Sequence, residues 1–128
     1  MDPKVEELIN GKNFGYIASV SNGGNPHVTP VWIDMEGEYI LVNTAIGRVK
    51  QKNLRENAKV AIAVSDQANP YHYALVRGRI YKQTTKGADE HIDKLAKKYL
   101  GKDSYPWKSP NEQRVILYIK PERVIIPQ

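Results

Sequence analysis

The 128-residue sequence contains no cysteine, which excludes disulfides and thiolate metal centres. Its three histidines, His27, His72 and His91, lie too far apart in sequence to form a ligand motif. No stretch approaches the roughly 18 to 20 consecutive apolar residues that a membrane-spanning helix requires. Met1-Asp2-Pro3-Lys4 also lacks the charged and apolar regions of a signal peptide, so a soluble, cytoplasmic protein is the expectation. A Ser/His/Asp arrangement, a paired-carboxylate motif, a dinucleotide-type glycine-rich loop, an internal repeat and a low-complexity segment are missing as well. Redox chemistry in such a chain needs a borrowed cofactor.

What is present fits one domain with one core: 41% of the residues are hydrophobic, and domains commonly run to roughly 100 to 150 residues. The formal charge of +5 and the pI near 9.4 favour an anionic partner. That partner could be a phosphate-bearing small molecule, a nucleic acid or a membrane surface, and the placement of the charge must choose among them.

Asp2-Pro3 reads as a cap followed by proline at the first helical position, with Val5, Leu8 and Ile9 on one stripe of a short helix over residues 1–11. Asn13 to Ser21 and His27 to Asp34 are strand-like runs separated by the turn formers Ser21 to Pro26, and so predict a hairpin. Glu36-Gly37 is a turn before a third strand, Glu38 to Asn43. Helical spacing then predicts a helix over Ala45 to Asn57 with Thr44 as its cap. Lys59 to Ser65 and Tyr71 to Lys82 read as strands four and five, with Gly78 marking a bulge or a close backbone approach. An amphipathic helix follows over residues 87–101, ending at Gly101, with Lys94, Lys97, Lys98 and Lys102 read as its solvent face. Glu112 to Lys120 supplies a sixth strand, and Arg123 to Ile126 a short edge strand. The pattern is mainly β with peripheral helices, and six strands at short intervals favour a closed or nearly closed antiparallel barrel, which leaves few unpaired edges.

The chemistry is concentrated in Val42 to Arg55, where a strand feeds a helix whose first turn carries alternating cations. Near a helix start, Arg48, Lys50 and Lys52 can fan around an anion that free backbone N–H groups also contact. The same residues suit the solvated face of a capped helix, and local pattern leaves both readings open.

The first hairpin with Pro30-Val31-Trp32, the strand end Asn43-Thr44 and the run Arg48-x-Lys50-x-Lys52-Asn53-Leu54 together resemble the pyridoxamine 5'-phosphate oxidase-like, FMN-binding split-barrel superfamily. More narrowly they are similar to its small deazaflavin (coenzyme F-420)-dependent branch, although Lys52 stands where that branch often has arginine. The resemblance spans residues 10 to 126. It implies a six-stranded split β-barrel and a homodimer with the cofactor, coenzyme F-420 or FMN, at the subunit interface. It also implies that Arg48, Lys50 and Lys52 hold the phosphate end, that Asn53 supports their loop, and that Thr29, Pro30 and Val31 with Val42, Asn43 and Thr44 flank the tricyclic ring.

On this reading the protein is an oxidoreductase passing a hydride between reduced coenzyme F-420, or FMN, and a small unsaturated or heterocyclic acceptor. The lack of a recognisable acid, base or substrate motif leaves a non-catalytic cofactor carrier as the alternative. A basic nucleic-acid-binding barrel is the third reading, though no helix-turn-helix, zinc-finger or RNA-recognition signature is present. Trp32, Trp107 and Tyr71-His72-Tyr73 could face a ligand or simply pack, and the sequence does not separate these roles.

Overall fold

A computed structural model describes residues 1–127. In chain order the elements are α1 (Pro3–Asn10), β1 (Gly15–Val20), β2 (Pro26–Val31), β3 (Ile33–Glu36) and β4 (Tyr39–Ala45), followed by α2 (Val49–Asn53), β5 (Lys59–Ser65), β6 (Tyr73–Thr84), α3 (Ala88–Leu100) and β7 (Arg114–Ile125). The seven strands form one antiparallel sheet in the order β2-β1-β5-β6-β7-β4-β3. Its two outermost strands, β2 and β3, are consecutive in sequence and joined only through Trp32. A flat sheet could not satisfy that connection, so the sheet curls until its edges meet, giving the split-barrel form.

Alternation places one face of each strand inside. Ile17, Ile33, Ile40, Val42, Ile62, Val76, Ile80, Leu117 and Ile119 fill the interior, and α1 closes it with Val5 and Ile9. α3 lies on the outside of β4 and β7, where Ala88 packs on Leu41 and Ile116. Further along, Ile92, Leu95 and Tyr99 pack with Trp32 and Tyr105. Several ends follow the turn chemistry of the sequence. The Asp2 carboxylate accepts from the Lys4 N–H at 2.8 Å, and Gly101 ends α3 in the left-handed conformation that glycine adopts without a Cβ clash.

Four expectations are corrected. The strand count is seven rather than six, because the run His27 to Asp34 divides at Trp32: β2 pairs with β1 and β3 with β4. The final run is not a separate strand; it continues β7 and pairs there with β6, beyond the β4 pairing that ends at Ile119. The helix expected over 45–57 shrinks to Val49–Asn53, and Thr44 does not cap it. Thr44 still pairs with Val115 in the sheet, the Ile46 N–H donates to Gln113 O, and the chain turns only at Gly47 with φ 96°. Lastly, Lys98 is not solvent-facing: its ammonium donates to the carbonyls of Ile9 and Ile33, tying α3 to α1 and β3.

Gly78 marks both a register shift and a close approach. A Cβ there would lie 2.2 Å from the Lys120 carbonyl oxygen, and since the obstacle is backbone no rotamer change relieves it. Gly78→Ala is expected to destabilise by about 1 to 3 kcal/mol, read as a lowered urea midpoint with an unchanged slope.

Candidate functional site

Where the sheet edges meet, a cavity of about 200 Å³ opens between the end of β2, the middle of β4, α2 and the loop after α3. Pro30 and Val31 form one side, Trp32, Tyr105 and Trp107 an aromatic wall, and Arg48, Lys50 and Arg114 the cationic side, with Asn43 between them. The pairing of β3 with β4 stops at Ile33 and Val42. Beyond Val42, β4 therefore has a strand partner only on the β7 side, and the turn of the chain at Trp32 leaves the gap that becomes the cavity.

The aromatic wall is built on Tyr99. Trp32 stacks on it with centroids 5.3 Å apart and planes 5° from parallel, while Tyr105 meets Trp32 edge-on at 5.9 Å. The Tyr99 hydroxyl donates to Asn13 O at 2.7 Å and accepts from the Ile33 N–H at 3.1 Å. Burial, chiefly, holds its pKa up at about 12, so it remains a neutral structural hinge rather than a proton donor at ordinary pH. Trp107 is 61% exposed and forms the outer rim.

The cationic side is crowded. Arg48 reaches Glu112 at 3.3 Å and is half exposed. Arg114 is buried, donates from Nε to Asn43 Oδ1 at 2.9 Å and from Nη1 to Glu112, and lies 5.3 Å from the Tyr105 ring. Burial and the positive charges of Arg48 and Arg114 push the Lys50 pKa below the ordinary lysine value. Three cations thus face one carboxylate, and the site is electrostatically short of an anion. Two buried hydroxyls, Thr29 Oγ1 on β2 and Thr44 Oγ1 on β4, have no hydrogen-bond partner among the described residues, an uncommon state for buried polar atoms.

Of the residues singled out from sequence, the fold brings Pro30, Val31, Asn43, Arg48 and Lys50 together at the cavity. Thr29 lies beside them on β2. The side chains of Val42 and Thr44 are fully buried, so neither presents a side-chain surface to the cavity. Lys52 is exposed and does not line it. The Asn53 amide donates to Ser19 Oγ at 3.1 Å and so staples α2 to β1. Tyr71 and Tyr73 do not line the cavity, and Tyr71 lies in the turn before β6. Sequence reasoning missed Arg114 and Tyr105 altogether; a single arginine at the start of a strand carries no local signal.

A further polar group lies behind the cavity. Asp34 accepts from His91 Nε2 at 3.1 Å, from Lys94 at 3.2 Å and from the Met35 N–H at 2.8 Å. Burial alone would raise its pKa; the three donors outweigh burial and bring it to about 2.

The antiparallel split barrel thus carries at its seam an aromatic-walled cavity with an excess of positive charge. The family model described as pyridoxamine 5'-phosphate oxidase matches residues 1–126, and the chain belongs to that family. Among solved structures, an F420 reductase is 28% identical, with 98% of each chain covered and a TM-score of 0.83. HupZ from Group A Streptococcus is 21% identical, over 98% of this chain and 93% of that one, with a TM-score of 0.71. General Stress Protein 26 from Bacillus anthracis str. Sterne is 18% identical, over 96% and 90%, with a TM-score of 0.65. The last two likenesses concern the fold alone. Among the described residues, no helix is long and apolar enough to cross a membrane.

Because the folded-state pKa of Asp34 is depressed from 3.8 to about 2, its contribution to stability is complete above the unfolded value and is lost as pH falls through the folded one. Acid unfolding of the wild type should therefore include a loss of roughly 2 kcal/mol between those values. Asp34→Asn is expected to lack that component, and parallel urea titrations at a series of acidic pH values check it.

Proposed function

We propose that this chain binds a flavin-type cofactor, coenzyme F-420 in slight preference to FMN, in the seam cavity and uses it as an oxidoreductase on a small unsaturated or heterocyclic acceptor. The observation that carries the reading is the convergence of Arg48, Lys50 and Arg114 beside an aromatic wall with only Glu112 to balance them. The F420 reductase, similar over the whole length, supports the preference between the two cofactors. Nothing in the cavity supplies a dedicated acid or base, and Glu112 is engaged by two arginines. The cofactor would supply the hydride chemistry.

The chain's own part is to bind, orient and exclude water. Arg48 and Lys50 would hold the phosphate through charge-assisted hydrogen bonds, with Asn53 anchoring their short helix to β1. Pro30, Val31 and Trp32 would lie along the ring.

The cavity of one protomer, about 200 Å³, is smaller than the roughly 300 to 1,000 Å³ usual for ligand sites. A homodimer would complete it. The outer face of β1 and β2 leaves Tyr16 46%, Val20 57% and Val28 65% exposed, and among the described residues no helix packs extensively on β2. This apolar face adjoins Phe14 and Pro30 at the cavity mouth. The nucleic-acid reading loses ground, since Lys94 and Lys98 of α3 are engaged by Asp34 and by backbone carbonyls.

Titration of purified protein with FMN and with coenzyme F-420, followed by cofactor fluorescence, should give micromolar or tighter binding for at least one. Lys50→Ala should weaken it about tenfold or more without moving the melting temperature downward, because removing Lys50 relieves repulsion. Absence of binding to both cofactors overturns the reading. Reoxidation of bound reduced cofactor by an acceptor panel no faster than that of free cofactor would favour the carrier alternative.

Val28→Glu places a charge on the exposed β2 face without touching the cavity. Sedimentation should find the wild type dimeric and this variant monomeric, with cofactor affinity lost together with the dimer. A monomeric variant that binds normally would remove the partner subunit from the site.

A further inference from the structure

Asn43 is surrounded by groups whose hydrogen-bonding polarity is fixed, and this determines both its own orientation and the protonation pattern of its neighbour. Arg114 Nε can only donate, and it reaches Asn43 Oδ1 at 2.9 Å; the Ala88 carbonyl can only accept, and it lies 2.9 Å from Asn43 Nδ2. The amide therefore stands with its oxygen toward β7 and its nitrogen toward α3. Its second N–H points at His91 Nδ1, 3.2 Å away, which must accept. The ring proton is left on Nε2, facing Asp34 at 3.1 Å. The result is a directed chain from Asp34 on β3, through His91 on α3 and Asn43 on β4, to Arg114 on β7.

At the end of the chain, the guanidinium is fixed in position and orientation. Asn43 takes Nε, Glu112 takes Nη1, and the Tyr105 ring flanks the group at 5.3 Å. The side chain is only 8% exposed, yet Nη2 makes no hydrogen bond to any described residue, and the residue lines the cavity. That nitrogen is not among the buried polar atoms left without a partner, so it is open to solvent, at a residue that lines the cavity. The idle group is a planar, preorganised donor at the side of the cavity that already holds Arg48 and Lys50.

We propose that Arg114 is the third cation receiving the anionic part of the ligand, in the place that Lys52 does not fill, and that Asn43 and His91 are positioning residues that aim its guanidinium. The inference rests on the reading of the cavity as an anionic-cofactor site. His91 acts at a distance: its Nδ1 is a second acceptor for Asn43 Nδ2 beside the Ala88 carbonyl, and an amide held at both N–H groups keeps Arg114 Nε in one orientation. If His91 cannot accept, Asn43 Nδ2 keeps only the Ala88 carbonyl, and the amide loses one of the two acceptors that steady its hold on Arg114.

The test uses ¹⁵N-labelled protein and the variants Arg114→Lys, His91→Leu and His91→Gln, the last retaining one acceptor and one donor. In the ligand-free wild type, His91 should carry its proton on Nε2 and the Arg114 Nε–H should exchange slowly. His91→Leu should speed that exchange and weaken FMN and coenzyme F-420 binding about tenfold, and His91→Gln should restore both. Arg114→Lys, which keeps the charge and loses the fork, should weaken binding by a similar factor. Wild-type affinity in Arg114→Lys, or unchanged exchange in His91→Leu, overturns the proposal. Should the wild type bind neither cofactor, the cofactor reading falls on its own. Exchange in ligand-free protein then still decides the positioning, and pyrophosphate binding, expected to weaken in Arg114→Lys, decides the anion site.

Discussion

The single-residue passage from β2 to β3 through Trp32 is the constraint on which the rest of the molecule depends. These strands pair with different partners at opposite edges of the sheet, so the chain can make the passage only if the sheet has curled through the intervening five strands. The indole is held at the crossing by stacking on Tyr99, and the Tyr99 hydroxyl in turn holds backbone groups of residues 13 and 33, on either side of the seam. Closure, the aromatic wall and the cavity are therefore consequences of one local event. A protein whose edges met by ordinary strand pairing would have no gap at this position and no site.

The cost of the site falls on electrostatics. Bringing Arg48, Lys50 and Arg114 together depresses the Lys50 pKa through burial and mutual repulsion. The structure tolerates this because Glu112 bridges both arginines and because Arg114 is turned toward Asn43 and the face of Tyr105. The contrast with Asp34 is instructive. That carboxylate is also partly buried, but three donors surround it and its charge is strongly favoured. One polar centre in this protein is satisfied by the fold; the other is left open where the cavity is.

Much of the architecture could be read from residue pattern, because turn formers and period-two alternation act locally: Asp2-Pro3, Ser21 to Pro26, Glu36-Gly37, Gly78 and Gly101 all mark element ends or breaks where the chain shows them. The errors arose where a non-local partner decided. Ala45 and Ile46 have helical spacing, yet pairing with Arg114 and Gln113 keeps them with the sheet. His27 to Asp34 reads as one strand, because nothing local says that its halves serve opposite edges. At the site, the clustered motif Arg48-x-Lys50 was visible and Arg114 was not: 64 positions separate Lys50 from it in sequence, and only the β4–β7 pairing brings it alongside. Lys52, visible in the same motif, lies on the far side of a five-residue helix that cannot aim three alternating cations at one point.

That geometry changes what the basic segment means. A helix start was the sequence's explanation for anion binding there, but α2 is too short for an appreciable dipole, and its N-cap makes no side-chain hydrogen bond. On the proposed reading, side-chain charge gathered from two distant parts of the chain would do that work instead. Such a cluster is least stable when empty, since each cation then lies in the field of the others, and the buried Arg114 is little screened by water. An anion of matching shape would remove that repulsion as it binds, so the same residues that lower the stability of the free protein would supply affinity for the ligand. On that reading the buried, preorganised member of the cluster would contribute most per hydrogen bond, because its orientation is set before a ligand arrives.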